Sequence, residues 1–121
     1  VSIRLKLPVR PVTQNKFWGH RNNRKYIKKA GREWRKEIQW LVKSEINKGN
    51  ITPFTDEDLY VSYTFGFKDK RYGDTFNYEK ALSDSLEGLL FDNDKQIVEG
   101  RVLRKIGQDE DYIEINIKEY E

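Results

Sequence analysis

The spacing of apolar residues changes period several times along this chain, and each change calls for a different element. "SIRLKL" (2–7) alternates apolar and polar side chains, the period of a half-buried strand, and Pro8 stops it. From about Lys29 to Lys48, Trp34, Ile38, Leu41, Val42 and Ile46 recur at helical spacing, and Gly49 ends that helix. "LYVSYTFGF" (59–67) is β-branched and aromatic and reads as a second strand. After "KDKRYG", Asp74 or Thr75 caps a second helix running to about Leu90, with Tyr78, Ala81, Leu82, Ser85, Leu86 and Leu89 on its inner face. "QIVEGRVLRKI" and "YIEINIKEY" read as a closing antiparallel hairpin around "GQDED". The order β-α-β-α-β-β predicts one α/β (α+β) domain over residues 1–121, a mixed sheet with two packed helices. Between the first strand and the first helix, "PVRPVTQNKFWGHRNNRKYIKK" is expected to be a long loop with at most a short strand near Tyr26 and Ile27.

Charge is distributed unevenly along this order. Arg10 to Lys36 holds ten basic residues against a single acid, Glu33, although the net charge is only +3. The remainder is acidic on balance. A basic arm beside an acidic body suits a polyanion at one face and metal ions at another, and a solvated charged surface accounts for such a run equally well. The 13% of aromatic residues and the clear periodicities exclude a disordered chain despite 36% charged residues. With no cysteine, a disulfide framework and a thiolate zinc site are excluded. No apolar run approaches membrane-spanning length and no secretory leader is visible, so an intracellular protein is expected.

Asp74, Asp92 and Asp94 flank the second helix, with Lys80 between them. Taken singly they have plain structural roles: Asp74 as an N-cap, Asp92, Asn93 and Asp94 as turn residues, and Lys80 as an i, i+4 partner of Asp84 contributing about 0.3 kcal/mol. Taken together they are candidates for a metal site with a lysine that stabilises charge developing on a phosphate. His20, the single histidine, suits a phosphate or base contact or a solvated position better than a catalytic base. Phe17, Trp18 and Tyr26, interleaved with basic residues, suit stacking on exposed bases or anchoring of the loop to the core.

"GDTFNYEKALSDSLEGLLFDNDKQI" (73–97) resembles the RusA family of Holliday-junction resolvases, whose pattern is Asp-x-Asp-Asn, a lysine, Asp-x-Leu, and an Asp-Asp pair before Gln-Ile or Gln-Val. "QNKFWGHRNNRKYIKKAGREWR" (14–35) resembles that family's N-terminal segment more loosely, so the likeness runs from about Asn15 to Lys118. It matches Asp74 to the first motif aspartate, Asn77 to the asparagine, Lys80 to the catalytic lysine, Asp84 and Leu86 to the next pair, and Asp94 to the last metal-binding aspartate. Phe76 stands where the family has its second metal-binding aspartate, and a phenyl ring cannot ligate a cation. Asp92 or Glu79 are candidates to compensate.

The resemblance implies a Mg2+-dependent (or Mn2+-dependent) endonuclease that resolves branched DNA as a homodimer in a bacterial or phage setting. Its catalytic residues would be Lys80, Asp74 and Asp94, its metal ligands Asp74, Asp94 and, as a further candidate, Asp92. Nucleic acid would be met by Asn15, Lys16, His20, Arg21, Arg24, Lys25, Lys28, Lys29, Arg32 and Arg71. The alternative is an inactive junction-binding protein of the same fold, which has lost competence at Phe76. An RNA-binding basic domain is a third reading, and the acidic motif positions speak against it.

Overall fold

The computed structural model describes residues 2–70 and 72–121. Its main sheet has the strand order β1-β6-β4-β5, with β1 at Ser2–Leu7, β4 at Leu59–Gly66, β5 at Ile97–Lys105 and β6 at Tyr112–Glu119. β6 runs antiparallel to both β1 and β4, whereas β4 and β5 are parallel. Alternation along the strands puts one face of the sheet in the core. Register then aligns its apolar residues in rows: Ile3, Ile117 and Val61; Leu5, Ile115 and Tyr63; Leu7, Ile113 and Phe65. The opposite face carries Arg4, Lys6, Asn116, Lys118, Tyr60 and Ser62, with Arg4 donating to Asn116 Oδ1 at 3.1 Å.

The helix α2 (Lys29–Asn47) covers the buried face with Trp34, Ile38 and Val42. The predicted span and ending are correct: Gly49 sits at φ 77°, a left-handed conformation that glycine adopts without strain. Beside it packs α3 (Glu79–Leu86), burying Ala81, Leu82 and Leu86. Two hydrogen bonds fix α3 in place. The Gln39 side chain donates to Ser85 O at 3.3 Å, and the fully buried Tyr63 hydroxyl bonds Ser83 Oγ at 3.0 Å.

Three expectations need correction. The segment 96–120 is not a hairpin, because β4 lies between β5 and β6. β4, α3 and β5 form a parallel strand–helix–strand crossover, and the chain then steps past β4 to reach β6. The second helix stops at Leu86 rather than near Leu90, since Gly88 turns the chain at φ 81°. Leu90 and Phe91 are apolar because they enter the core from a loop. The arm between β1 and α2 is also ordered. It forms the one-turn helix α1 (Gln14–Phe17) and a separate hairpin of β2 (Trp18–Arg21) and β3 (Arg24–Ile27). Asn22 and Asn23, at φ 52° and 61°, supply the two left-handed positions that a two-residue turn of this type demands.

No helix among the described residues is long and apolar enough to cross a membrane. The apolar residues of 60–67 and 112–117 are largely spent on the chain's own core: Val61, Tyr63, Phe65, Phe67, Ile113, Ile115 and Ile117 are at most 3% exposed.

Candidate metal centre and nucleic-acid interface

The C-terminal end of α3 and the following loop bring three acids together. A carboxylate oxygen of Asp84, one of Glu87 and one of Asp94 all lie within 4.8 Å of one another. Asp84 and Glu87 are brought to one side because they are three residues apart, Asp84 in the last turn of α3 and Glu87 at its C-cap. Asp94 comes from a loop held by its own side chains. Asn93 Oδ1 accepts from Lys95 N at 2.8 Å, and Gln96 Oε1 accepts from the backbone N–H groups of Asp92 and Asn93, both at 2.9 Å. The Gln96 amide then donates to Glu57 O at 2.9 Å, tying the loop to the segment that leads into β4.

Lys80 Nζ stands 3.4 Å from Asp84 Oδ1, one turn back on α3. The other oxygen, Asp84 Oδ2, is buried and has no hydrogen-bond partner. A buried carboxylate oxygen without a donor is costly, and a cation among three carboxylates removes that cost. The donor set, all oxygen and all acidic, suits a hard divalent cation.

Of the residues singled out in the sequence, Asp94 belongs to this group, whereas Asp74 and Asp92 do not. Asp74 is exposed and precedes a 3₁₀ turn at Thr75–Asn77, where its side chain makes no capping bond. Its position is set instead by the loop before it. Arg104 donates to Gly73 O at 3.3 Å and lies over the Tyr72 ring at 4.0 Å, while Gly73 N donates to the Tyr78 hydroxyl. Phe76 is 77% exposed and absent from the core, so nothing in the packing calls for a phenyl ring there. Glu87 was missed by the sequence reading, and Asp84 was read chiefly as a partner of Lys80. Their three-residue spacing was the available signal.

The basic residues named from the sequence divide by role. Asn15, Lys16, His20, Arg21, Arg24, Lys25, Lys28, Lys29 and Arg32 are all exposed, and Arg71 lies outside the described residues. Two of them are committed to the scaffold: Lys28 Nζ donates to Asn15 O and Arg32 to Ile27 O, each at 2.8 Å. Lys25 lies over the Trp18 ring at 4.2 Å. Lys16 lines the same concavity as Tyr72 and Gly73, which places the arm beside the segment leading to Asp74. The aromatic alternatives also separate. Phe17 is fully buried and Trp18 packs against the core, whereas Tyr26 is 45% exposed.

Residues 8–118 match the family described as endodeoxyribonuclease RusA. The chain is also similar to a curated protein named crossover junction endodeoxyribonuclease rusA, from Enterobacteria phage HK97. The two are 29% identical over 97 residues, covering 79% of this chain and 78% of the relative. With the match extending over most of its length, the chain belongs to the RusA endodeoxyribonuclease family.

Proposed function

We propose that this chain is a metal-dependent endonuclease that resolves Holliday junctions and other branched DNA by paired phosphodiester hydrolysis. The observation that carries the reading is the group of Asp84, Glu87 and Asp94 beside Lys80, within a chain of this family. Asp94 is common to this group and to the Asp74–Asp94 pair that the family pattern implies, so the ion site centres on Asp94, with Asp84 and Glu87 beside it and Asp74 as the further ligand that the family pattern implies. These carboxylates would hold a Mg2+ or Mn2+ ion, whose charge would lower the pKa of a bound water and polarise the scissile phosphate.

The chain's own residues supply the rest. Lys80 is 45% exposed in its side chain, so its amine is open to solvent, whereas its partner Asp84 is only 17% exposed. With a cation taking its place beside Asp84, Lys80 would be free to turn to a phosphate oxygen and put a positive charge where negative charge builds up during cleavage. The exposed basic arm holds the DNA through its phosphates, which sets affinity and register without reading sequence. Paired nicks across a two-fold symmetric junction call for two such sites, which a homodimer provides. A sedimentation mass of one chain, free and junction-bound, would remove that mechanism.

Phe76 favours a second reading, in which the chain binds junctions without cutting them. The deciding experiment incubates a labelled four-way junction and a matched duplex with the protein and with Phe76→Asp, in Mg2+, Mn2+ or EDTA. Faster junction cleavage by Phe76→Asp is expected, with no cleavage in EDTA. Equal rates for the two proteins at saturating metal would show that position 76 is not a ligand position.

A further inference from the structure

One face of the β2–β3 hairpin gathers Arg21, Arg24 and Tyr26, residues that the basic-arm reading treats only singly. Cα partners in a strand pair point to the same side, so Gly19 and Tyr26 share one face with Arg21 and Arg24, while Trp18, Ile27, His20 and Lys25 share the other. Trp18 and Ile27 pack their face against the core. The first face is turned outward, and Arg21, Asn22, Arg24 and Tyr26 line an open concavity of about 690 Å3 there.

Two features of this face bear on what it could hold. Arg21 and Arg24 sit directly opposite each other across the strands, and like charges so placed repel. Neither has an acidic partner among the described residues. Tyr26 is an exposed aromatic that contributes nothing to the core, yet its ring is held in place. It lies so close over Gly19 that a Cβ there would come within 2.6 Å of it. A fixed aromatic surface beside two opposed guanidinium groups has the chemistry to stack a nucleobase and hold the phosphates on either side of it.

We propose that this face is a subsite for one unpaired nucleotide of a DNA strand, with Tyr26 as the stacking platform and Arg21 and Arg24 as the phosphate contacts. In a base-paired duplex both faces of each base are already stacked, so the subsite discriminates for strands whose bases are exposed, as they are at a branch point. The inference rests on the DNA-binding reading given above, and it deepens that reading by assigning Tyr26, left between base stacking and loop anchoring in the sequence, to one unpaired base.

The test uses a short single-stranded oligonucleotide containing 2-aminopurine, and a four-way junction with 2-aminopurine at the crossover. The proteins are wild type, Tyr26→Phe, Tyr26→Leu and the double variant Arg21→Gln/Arg24→Gln. Leucine keeps an apolar cover on Gly19 without an aromatic face, and phenylalanine keeps both. Tyr26→Leu is expected to bind the single strand about ten-fold more weakly and to lose the 2-aminopurine quenching, with Tyr26→Phe retaining both. The double arginine variant should bind more weakly, with a salt dependence shallower by about 1.4, two single-strand phosphates' worth. Wild-type binding and quenching by Tyr26→Leu, an equal loss in Tyr26→Phe, or no single-strand binding by wild type would each overturn the subsite. If wild type fails to prefer the junction to duplex while Tyr26→Leu still loses the single strand, the junction reading falls and the subsite stands.

Discussion

Glu87→Gln separates a metal centre from a patch of solvated acids without any measurement of cleavage. The substitution is nearly isosteric and removes one charge. Among the described residues no hydrogen bond involves the Glu87 side chain, and its backbone N–H keeps its bond to Ser83 O at 3.0 Å. With ligand oxygens up to 4.8 Å apart, each carboxylate pair repels by about 0.9 kcal/mol in water-like surroundings. Glu87 takes part in two such pairs, and screening at physiological ionic strength roughly halves the total, to about 1 kcal/mol. In EDTA the variant should therefore be the more stable protein, melting a few degrees higher. Adding Mg2+ or Mn2+ should act in the other sense. An ion at about a hundred times its Kd stabilises the wild type by about 2.7 kcal/mol, and a ten-fold weaker site at the same concentration loses about half of that gain. Differential scanning fluorimetry across a metal titration reads both effects. Equal melting in EDTA together with equal shifts on adding metal would show that the three acids neither repel one another nor share an ion.

Other perturbations follow from the packing. Tyr63→Phe removes the buried 3.0 Å bond to Ser83 and should lower the urea midpoint by an amount equivalent to about 1–2 kcal/mol, with an unchanged m-value. Burial pushes the Tyr63 phenol well above its ordinary value, the Ser83 bond opposing that shift. Its neutral form is thus favoured in the folded state, and the stability it contributes is complete below about pH 10 and lost as pH rises further, so Tyr63→Phe should flatten the alkaline limb of the stability curve. Gly66→Ala would bring a Cβ within 2.1 Å of the Tyr112 ring across the strand pair, and should cost about 1–3 kcal/mol in denaturant unfolding. Replacing Arg21, Arg24 and Lys25 together with glutamine should reduce the slope of log K against log salt on duplex DNA by up to about 2.7. The same experiment on Lys28 and Arg32 would confound charge with scaffold, because both side chains tie down backbone carbonyls.

The parts of the fold that could be read in advance are those whose partners lie close in sequence. α2 displays its own period and its own glycine stop, and β1 its own alternation. The pairing of β5 depends on β4, more than thirty residues earlier, and no local pattern distinguishes a parallel edge strand from half of a hairpin. The short strand near Tyr26 and Ile27 is present as β3, but its pairing with β2 escaped notice because the Asn22–Asn23 turn is flanked by charge instead of the alternating apolar residues that usually accompany such a turn. At the acidic centre Asp94 stood out through the family's motif, whereas Glu87 became visible only when the loop closed over the end of α3.

The central position of β6 also sets when this chain can fold. Ser2 pairs with Lys118 and Leu59 with Glu119, so β1 and β4 meet only through a strand made after every other element. During synthesis the crossover of β4, α3 and β5 can assemble early, but β1 must wait with its apolar side uncovered until β6 leaves the ribosome. Contacts spanning nearly the whole chain slow the search for the native state. They also expose a partly built sheet, with open edges, to neighbouring nascent chains during that delay.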